Sequence, residues 1–315
     1  MTRARPGQAR LDAELAASPR TRRQGPLECA DICGRDHLPD GILAARVRVD
    51  EHTIEVAGAP VFYRSAPSAA DAPPLYLHGV PTSSDDWTSL LERTGGIAPD
   101  LIGFGRSSKG GHLDYTLDGL AEFLGRLLST LDVGRVKLVA HDWGAGIGLV
   151  FAQRHPERIE RLVLCDPLPL TGGFHWHRLG RLLRTSGVGE LLMGATPRWL
   201  LARTLRRASA EHAFSDARLR SVWDQFDQGT QRAVLRLHRA TDEKALAASG
   251  ARLDALRMPA LVVWGERDPW FPAEFADAYG RRLPNATVSR LPDSRHWPWL
   301  EQSEAADQIA EFVLP

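Results

Sequence analysis

The residues with the clearest chemical meaning stand where a short apolar segment gives way to small residues. The segment Val139-Ala-His-Asp-Trp-Gly-Ala-Gly predicts a buried strand, a tight turn with Asp142 at its apex, and a helix that begins at once. Such a turn lifts one side chain above the carboxyl end of a sheet, and the helix N-terminus behind it stabilises negative charge. Asp142 is therefore the candidate nucleophile.

A carboxylate in this position carries out a particular reaction. It attacks a saturated carbon and forms an alkyl ester, which a water molecule activated by histidine then cleaves. An aspartate that only caps the helix would give the same local pattern, so partners elsewhere in the chain must decide between the two interpretations.

Two downstream residues supply those partners. Asp268 follows the segment Trp264-Gly-Glu-Arg, and His296 lies in the segment Ser294-Arg-His-Trp-Pro-Trp-Leu, just before the last predicted helix. The order of nucleophile, acid and histidine is that of a catalytic triad on a parallel sheet. We expect Asp268 to orient His296, which acts as the base on water. Asp166, at the end of the preceding strand, is the alternative acid.

A loop after an earlier strand predicts the site that binds the ester oxyanion. It reads His78-Gly-Val-Pro-Thr-Ser-Ser. We expect the backbone N–H groups of Val80 and Trp143 to face the ester intermediate. A cis peptide between Val80 and Pro81 would fix the turn.

Strands and helices alternate through most of the chain and indicate what positions these residues. An exposed hairpin is expected within 46–64. Short apolar strands and amphipathic helices follow it. The strands fall near 74–78, 97–102, 136–142, 159–165, 259–265 and 286–291, and the helices near 117–131, 145–154, 273–282 and 303–312. This alternation predicts an α/β fold, with a mostly parallel sheet and helices on both faces.

One long segment interrupts the alternation. Residues 167–250 show only helical periodicity, with arginine-rich faces and the tryptophans Trp176, Trp199 and Trp223. The sequence therefore predicts a helical cap at 167–250, inserted between two strands of a core formed by 39–166 and 251–315. The arginine-rich residues 1–38 are predicted to be a disordered extension.

The composition excludes several classes of function. Of 315 residues, 39 are Lys or Arg and 39 are Asp or Glu, so no net field favours nucleic acid or an anionic membrane as a partner. No apolar run approaches the roughly 20 residues that a membrane helix requires. We expect a cytoplasmic protein; its oligomeric state is not indicated by the sequence.

The three cysteines form no disulfide framework in a chain of this length. Cys29, Cys33 and His37 match no common zinc-binding spacing. No metal and no cofactor are expected.

From about 49 to 312 the chain resembles the epoxide hydrolase and haloalkane dehalogenase branch of the α/β-hydrolases. The resemblance rests, in order, on HGVPTSS from His78, APDLIGFGRSS from Ala98, AHDWGAG from Ala140, WGERDPWFP from Trp264 and the loop of His296. It implies the α/β-hydrolase fold, an aspartate nucleophile and a small apolar or amphipathic organic substrate.

The two families differ in how they stabilise the leaving group. Epoxide hydrolases typically use two cap tyrosines, whereas here no tyrosine lies in the predicted cap; the chain has only Tyr63, Tyr76, Tyr115 and Tyr279. The segment RAVLRLHR from Arg232 resembles the place of one such tyrosine, with His238 in its position as a hydrogen-bond donor. Trp176 is the second candidate donor. An epoxide-hydrolase-like enzyme is therefore the function that we expect, ahead of the alternatives.

A haloalkane dehalogenase is the alternative. Members of that family typically hold the halide between the tryptophan after the nucleophile, here Trp143, and a second N–H donor. Many carry asparagine after the HG pair, where this chain has Val80, so Trp176 is again the candidate. A non-catalytic, ligand-binding relative is the third possibility. It is disfavoured because Asp142, Asp268 and His296 are all retained.

Overall fold

An eight-stranded sheet forms the centre of the computed structural model, which describes residues 47–314. The predicted extension at 1–38, with Cys29 and Cys33, lies outside the described residues. The strands are β1 Asp50–Val56, β2 Ala59–Ala66, β3 Pro74–Leu77, β4 Gly96–Pro99, β5 Val136–His141, β6 Ile159–Pro167, β7 Ala260–Gly265 and β8 Ala286–Leu291.

The order of the strands brings the predicted site residues to one edge. Neighbours across the sheet run β1-β2-β4-β3-β5-β6-β7-β8. β1 and β2 form the predicted hairpin, and β2 is antiparallel to β4. All other pairs are parallel, so the carboxyl ends of β3, β5, β6 and β7 meet at the same edge. Crevices at that edge are where open α/β sheets bind ligands.

Helices cover both faces of this sheet. The described helices are α1 Thr88–Thr94, α2 Leu117–Thr130, α3 Asp142–Arg154, α4 Arg178–Arg184, α5 Val188–Gly194, α6 Arg198–Arg207, α7 Asp216–Gln225, α8 Gln228–Ala240, α9 Glu243–Ser249, α10 Glu274–Arg282, α11 Pro298–Glu301 and α12 Ser303–Val313. The α3 helix starts three residues before the predicted 145, because Asp142 is already its first residue.

Alternating side chains of the central strands build two separate cores. Leu138 and Ala140 of β5 belong to the core on one face, and Val139 between them belongs to the core on the other. Val262 and Val263 of β7 are divided in the same way. Successive side chains of a strand point to opposite faces, and a sheet that is covered on both sides therefore reads as an uninterrupted apolar run. The continuous apolar strands predicted from the sequence have this physical origin.

Six helices, α4 to α9, lie between β6 and β7, where only helical periodicity was predicted. Side chains tie this helical insertion to the rest of the chain. The hydroxyl of Ser221 in α7 donates a 2.7 Å hydrogen bond to Asp85, and Lys109 pairs with Asp227 at 2.8 Å. Asp227 also caps α8 by accepting from the N–H of Thr230 at 2.9 Å. That 167–250 is a separate cap domain stays a prediction.

Between residues 47 and 314, none of the helices combines the length and the hydropathy that crossing a bilayer requires.

Candidate active site

The predicted turn at Asp142 is present and is strained. β5 ends at His141, and Asp142 opens α3 with a φ of +49°, in the left-handed region. Gly144 is needed because a Cβ at its position would lie 2.4 Å from the carbonyl oxygen of His78. Gly79 faces the turn from β3, and its Cβ would lie 2.8 Å from that of Asp142. The two glycines bring the ends of β3 and β5 together beneath the carboxylate.

Backbone donors hold the Asp142 carboxylate. The N–H of Val80 donates to its Oδ2 at 2.9 Å, and the N–H of Trp143 donates to the same side chain. The Val80–Pro81 peptide is cis, as expected. These are the two N–H groups that the sequence predicts for an oxyanion site. In this arrangement one carboxylate oxygen already occupies the place where negative charge would develop in an ester intermediate.

Burial sets the charge state of Asp142. Its removal from water raises the pKa of the carboxyl group to about 6, although the positive charge of His296 and the two backbone donors oppose this effect. At neutral pH the carboxylate is therefore ionised but poorly solvated. A poorly solvated carboxylate is a stronger nucleophile than one in water.

His296 and Asp268 form the predicted pair. The Nδ1–H of His296 donates a 2.7 Å hydrogen bond to Asp268 Oδ2, and both side chains are fully buried. The other oxygen of Asp268 accepts from the N–H groups of Trp270 at 2.7 Å and Phe271 at 3.2 Å. These contacts fix the tautomer of the imidazole, so that Nε2 carries the free lone pair.

The imidazole has the electrostatic surroundings of a base that becomes charged during the reaction. Burial lowers the pKa of His296, but the charge and hydrogen bond of Asp268 outweigh it, and the pKa is raised above the ordinary value. Its Nε2 is buried and has no hydrogen-bond partner in the described chain. That atom is free to take a proton from a water molecule.

Two further side chains, neither of which was predicted from the sequence, position the His296 loop. The Nε2–H of His141 donates to the carbonyl of His296 at 2.8 Å. Glu301, in α11, accepts from the N–H of Arg295 at 2.6 Å, the N–H of Trp297 at 3.2 Å and the hydroxyl of Ser294 at 3.0 Å. The available signals were a histidine directly before the nucleophile and an acid five residues after His296.

Asp166, the alternative acid, lies beside the pair. It is the penultimate residue of β6, with a φ of +37°, and its Oδ1 accepts from the N–H of Gly265 at 3.0 Å. Burial and the neighbouring charge of Asp268 raise the pKa of Asp166 well above its usual range. This shift favours the neutral form of the Asp166 carboxyl group, whereas Asp268 accepts the direct hydrogen bond from His296. The geometry favours Asp268 as the acid.

Asp166, Asp268 and His296 also form the one group in residues 47–314 with the arrangement of metal ligands. One ligand atom from each lies within 4.8 Å of the others. The Nδ1 of His296 already donates to Asp268, however, and the raised pKa of Asp166 disfavours the ionised form that a metal ion would require. We assign these three residues to acid–base chemistry.

The insertion contributes an aromatic cluster next to the nucleophile. The indole of Trp176 stacks on that of Trp143, with ring centroids 5.8 Å apart and an angle of 18° between the planes. His238 packs against both, at 5.0 Å from Trp143 and 5.3 Å from Trp176. The indole N–H of Trp176 is buried and finds no partner in the described chain. Core tryptophans share this property, but Trp176 is distinguished by its contact with Trp143.

His238 does not have the donor character expected of it. Its Nδ1–H donates to the carbonyl of Val234, one turn earlier in α8, at 2.8 Å. Burial lowers the pKa of His238 to about 4, so the ring is neutral at pH 7. A neutral ring with Nδ1 protonated presents a lone pair, not an N–H, at Nε2. The prediction that His238 acts as a hydrogen-bond donor in place of a tyrosine is therefore wrong.

No tyrosine fills that place from elsewhere in the chain. Tyr76 is buried with its hydroxyl against Thr94. The hydroxyl of Tyr115 donates to Gly110, and Tyr63 stacks on His52 at the exposed hairpin. The fourth tyrosine, Tyr279, donates to the carbonyl of Leu168 at 2.5 Å. Three of the four hydroxyls make hydrogen bonds elsewhere, and the fourth, that of Tyr63, lies at the hairpin away from Asp142.

Comparison with known proteins agrees with this fold and site. Residues 75–303 match the model of the α/β hydrolase fold family. A haloalkane dehalogenase of Mesorhizobium japonicum is 30% identical over 263 residues, which cover 76% of this chain and 84% of that protein. A cis-3-alkyl-4-alkyloxetan-2-one decarboxylase of Xanthomonas campestris is 30% identical over 71% of this chain and 81% of that protein. The crystal structure of a loop variant of the haloalkane dehalogenase from Bradyrhizobium elkanii is 26% identical, with a TM-score of 0.72 over 84% of this chain and 96% of that one.

The chain belongs to the α/β-hydrolase family and, within it, to the haloalkane dehalogenase branch. It is a hydrolase with the aspartate-nucleophile chemistry of that branch. The preference for an epoxide hydrolase is not supported, because the comparisons fit the dehalogenase alternative better.

Proposed function

We propose that this chain is a haloalkane dehalogenase, which converts a small apolar haloalkane and water into an alcohol, a halide ion and a proton. The observation that carries the proposal is the pair of indoles beside Asp142. Trp143 follows the nucleophile directly, and Trp176 stacks on it with a buried N–H that has no partner in the described chain. A halide ion would accept a hydrogen bond at this place.

In the first step Asp142 is the nucleophile, and His296 takes no part. A carboxylate oxygen of Asp142 forms a bond to the carbon that bears the halogen, and the carbon–halogen bond breaks with its electron pair leaving on the halide. The indole N–H groups of Trp143 and Trp176 stabilise the developing negative charge. The product is an alkyl ester of Asp142, and the halide stays in the aromatic cluster until it leaves.

In the second step His296 takes a proton from water through Nε2, and the hydroxide attacks the ester carbonyl carbon of Asp142. The N–H groups of Val80 and Trp143, which now bind one oxygen of the carboxylate, stabilise the tetrahedral oxyanion. Collapse breaks the bond to the alkoxide oxygen, which takes the proton from His296 and leaves as the alcohol. The carboxyl group of Asp142 then releases its own proton to solvent.

The first step prepares the second electrostatically. The charge of Asp142 is one of the causes that raise the pKa of His296. Esterification removes this charge, so the pKa of His296 falls and a larger share of the imidazole is free to act as a base. The histidine thus becomes a base when the ester is ready for hydrolysis.

The same geometry disfavours an epoxide. Opening an epoxide leaves an alkoxide, which needs a donor that can give up a proton, whereas a halide leaves as a stable anion and needs only hydrogen bonds. Indole N–H groups are not acids at ordinary pH, and the neutral His238 offers a lone pair. The four tyrosine hydroxyls are used elsewhere or are remote.

The test is a substrate panel with three readouts on the same enzyme preparation. Halide release is followed for 1-bromo- and 1-iodoalkanes, diol formation for styrene oxide-type epoxides, and carbon dioxide release for a cis-3,4-dialkyloxetan-2-one. We expect halide release, with Trp176→Phe reducing it and Trp223→Phe, also in the insertion, leaving it unchanged. Diol or carbon dioxide formed without any halide release would overturn the proposal.

A further inference from the structure

The outer surface of the insertion carries large apolar side chains that face solvent. We call the surface of α4, α5 and α6, residues 178–207, the insertion face. Seven large apolar residues are exposed in the described chain, and six of them lie on it: Leu179, Leu182, Val188, Leu191, Trp199 and Leu200. Leu191 is 72% exposed and Trp199 66%. Single exposed apolar residues are ordinary, but a cluster of this kind marks an interaction site.

The insertion face is also strongly basic. Residues 178–207 contain seven arginines and one acid, Glu190, which gives a net charge of +6, although the whole chain is neutral. Glu190 does not compensate its neighbours, since it pairs with Arg239 of α8 at 2.7 Å. Among the arginines, Arg206 pairs with Asp216, whereas no acidic partner is found in the described chain for Arg203 or Arg207.

The apolar and basic groups are intermixed. A hollow on the outside of α6 is lined by Trp199, Ala202, Arg203, Arg206 and Arg207. On α4, the exposed Leu179 and Leu182 alternate with Arg178 and Arg181, while Leu183 turns inward. The partner must therefore accept aliphatic side chains and offer negative charge over the same area.

These features select one class of partner. A second copy of the chain would bring +6 against +6 in a two-fold symmetric contact, which electrostatic repulsion opposes. Nucleic acid would satisfy the arginines, but it gives no apolar environment to Leu191, Val188 and Leu200. An anionic lipid surface satisfies both, because arginines reach the phosphates while leucine and tryptophan side chains enter the boundary of headgroups and acyl chains.

We propose that the insertion face docks the hydrolase peripherally on membranes that contain anionic lipids. Local charge decides this property, which the neutral total composition conceals. The proposal is independent of the substrate, since it concerns a surface outside the cluster of Trp143 and Trp176.

The experiment is co-sedimentation of the full chain with vesicles of phosphatidylcholine alone or mixed with phosphatidylglycerol. We expect binding to the anionic vesicles, weakened by added salt because the Debye length shortens. Arg203→Gln with Arg207→Gln should reduce the affinity by about 25-fold, since each arginine near an anionic surface contributes roughly a fivefold factor. Leu191→Ser with Trp199→Ser should reduce it independently.

The matched controls carry the same exchanges at other exposed positions. They are Arg257→Gln with Arg281→Gln, and Leu314→Ser; none lies on the insertion face. We expect wild-type binding from them, and circular dichroism with thermal melting checks that every variant is folded. Equal binding to neutral and anionic vesicles would overturn the proposal, as would equal losses in test and control variants. Retention only by an acidic protein, without lipid binding, would overturn it too.

Discussion

The site at the strand ends, formed by Asp142, Asp268 and His296, buries its charged side chains, whereas the insertion face exposes them. At the carboxyl edge of the sheet, the side chains of Asp142, Asp268 and His296 are all buried, and each is held by defined hydrogen bonds. On the insertion face, arginines and large apolar side chains stand in solvent, and several arginines have no acidic partner in the described chain. Burial is needed where pKa values must be tuned, and exposure where a surface must meet a partner. Trp176 and His238 are the residues of the insertion that pack against Trp143, next to the nucleophile.

The largest effect is expected from Asp142→Asn, which removes the nucleophile. Halide release should fall at least about 10⁴-fold, as expected for loss of a covalent catalyst. The melting temperature should nevertheless rise, because ionising this buried carboxyl group costs stability. The measurement is halide release together with thermal unfolding at pH 7.5.

The sign of the stability effect follows from the pKa of Asp142, which is raised to about 6 in the folded chain. Between roughly pH 4 and 6 the folded state binds more protons than the unfolded one, so stability falls as the pH rises through this window. The cost at neutral pH is up to about 3 kcal/mol. A lower melting temperature for the variant would show that the carboxylate stabilises the fold instead.

The second largest effect is expected from the two tryptophans of the proposed halide site, of which Trp143 belongs to the core and Trp176 to the insertion. Trp143→Phe and Trp176→Phe each remove one indole N–H and should lower kcat/KM for a bromoalkane by about 100- to 1000-fold, the usual range for loss of one donor to developing charge. His238→Gln should have a much smaller effect, because its ring presents no donor. If His238→Gln were the most damaging of the three, the assignment of donors would be wrong.

The pH profile tests the buried charge of the strand-end site. Only ionised Asp142 attacks carbon, so kcat/KM should fall about tenfold per pH unit below about 6. The measurement is halide release with subsaturating substrate from pH 4.5 to 8, in buffers of constant ionic strength. A profile that stays flat down to pH 4.5 would mean that the carboxyl group is better solvated than the structure shows.

The smallest effect is expected from Asp166→Asn. Burial raises the pKa of Asp166 and favours its neutral form, so an amide of the same shape should change kcat by less than about threefold. Asp268→Asn should lower kcat strongly, because Asp268 accepts the hydrogen bond of His296. Both variants are compared in steady-state halide release. A loss for Asp166→Asn as large as that for Asp268→Asn would give Asp166 an essential part in orienting His296.

Much of the fold and of the strand-end site could be predicted from the sequence, because local patterns encode them. The apolar runs of β5 and β7 report burial on both faces, and the strained turn at Asp142 requires the glycines that the motif contains. The order of the strands then brings the N–H of Val80 to Asp142, and it brings His296 to Asp268.

What could not be predicted depends on contacts between distant or differently oriented groups. The donor character of His238 is decided by the carbonyl to which its Nδ1–H is directed, and the sequence does not show which ring nitrogen is engaged. The hydrogen bonds that Glu301 accepts from the His296 loop depend on the angle at which α11 packs. The arginine-rich faces of 167–250 could be predicted, but their exposure beside large apolar side chains depends on how α4, α5 and α6 pack.

The ester between Asp142 and the carbon of a haloalkane should accumulate in His296→Gln, where it can be detected by mass. This variant keeps the nucleophile and the two tryptophans but lacks the base for the second step. Incubated with 1-iodobutane, it should release about one halide per chain, and the peptide that contains Asp142 should gain the mass of one butyl group. Continued halide release with no modified peptide, or a butyl group on another residue, would show that Asp142 is not the nucleophile.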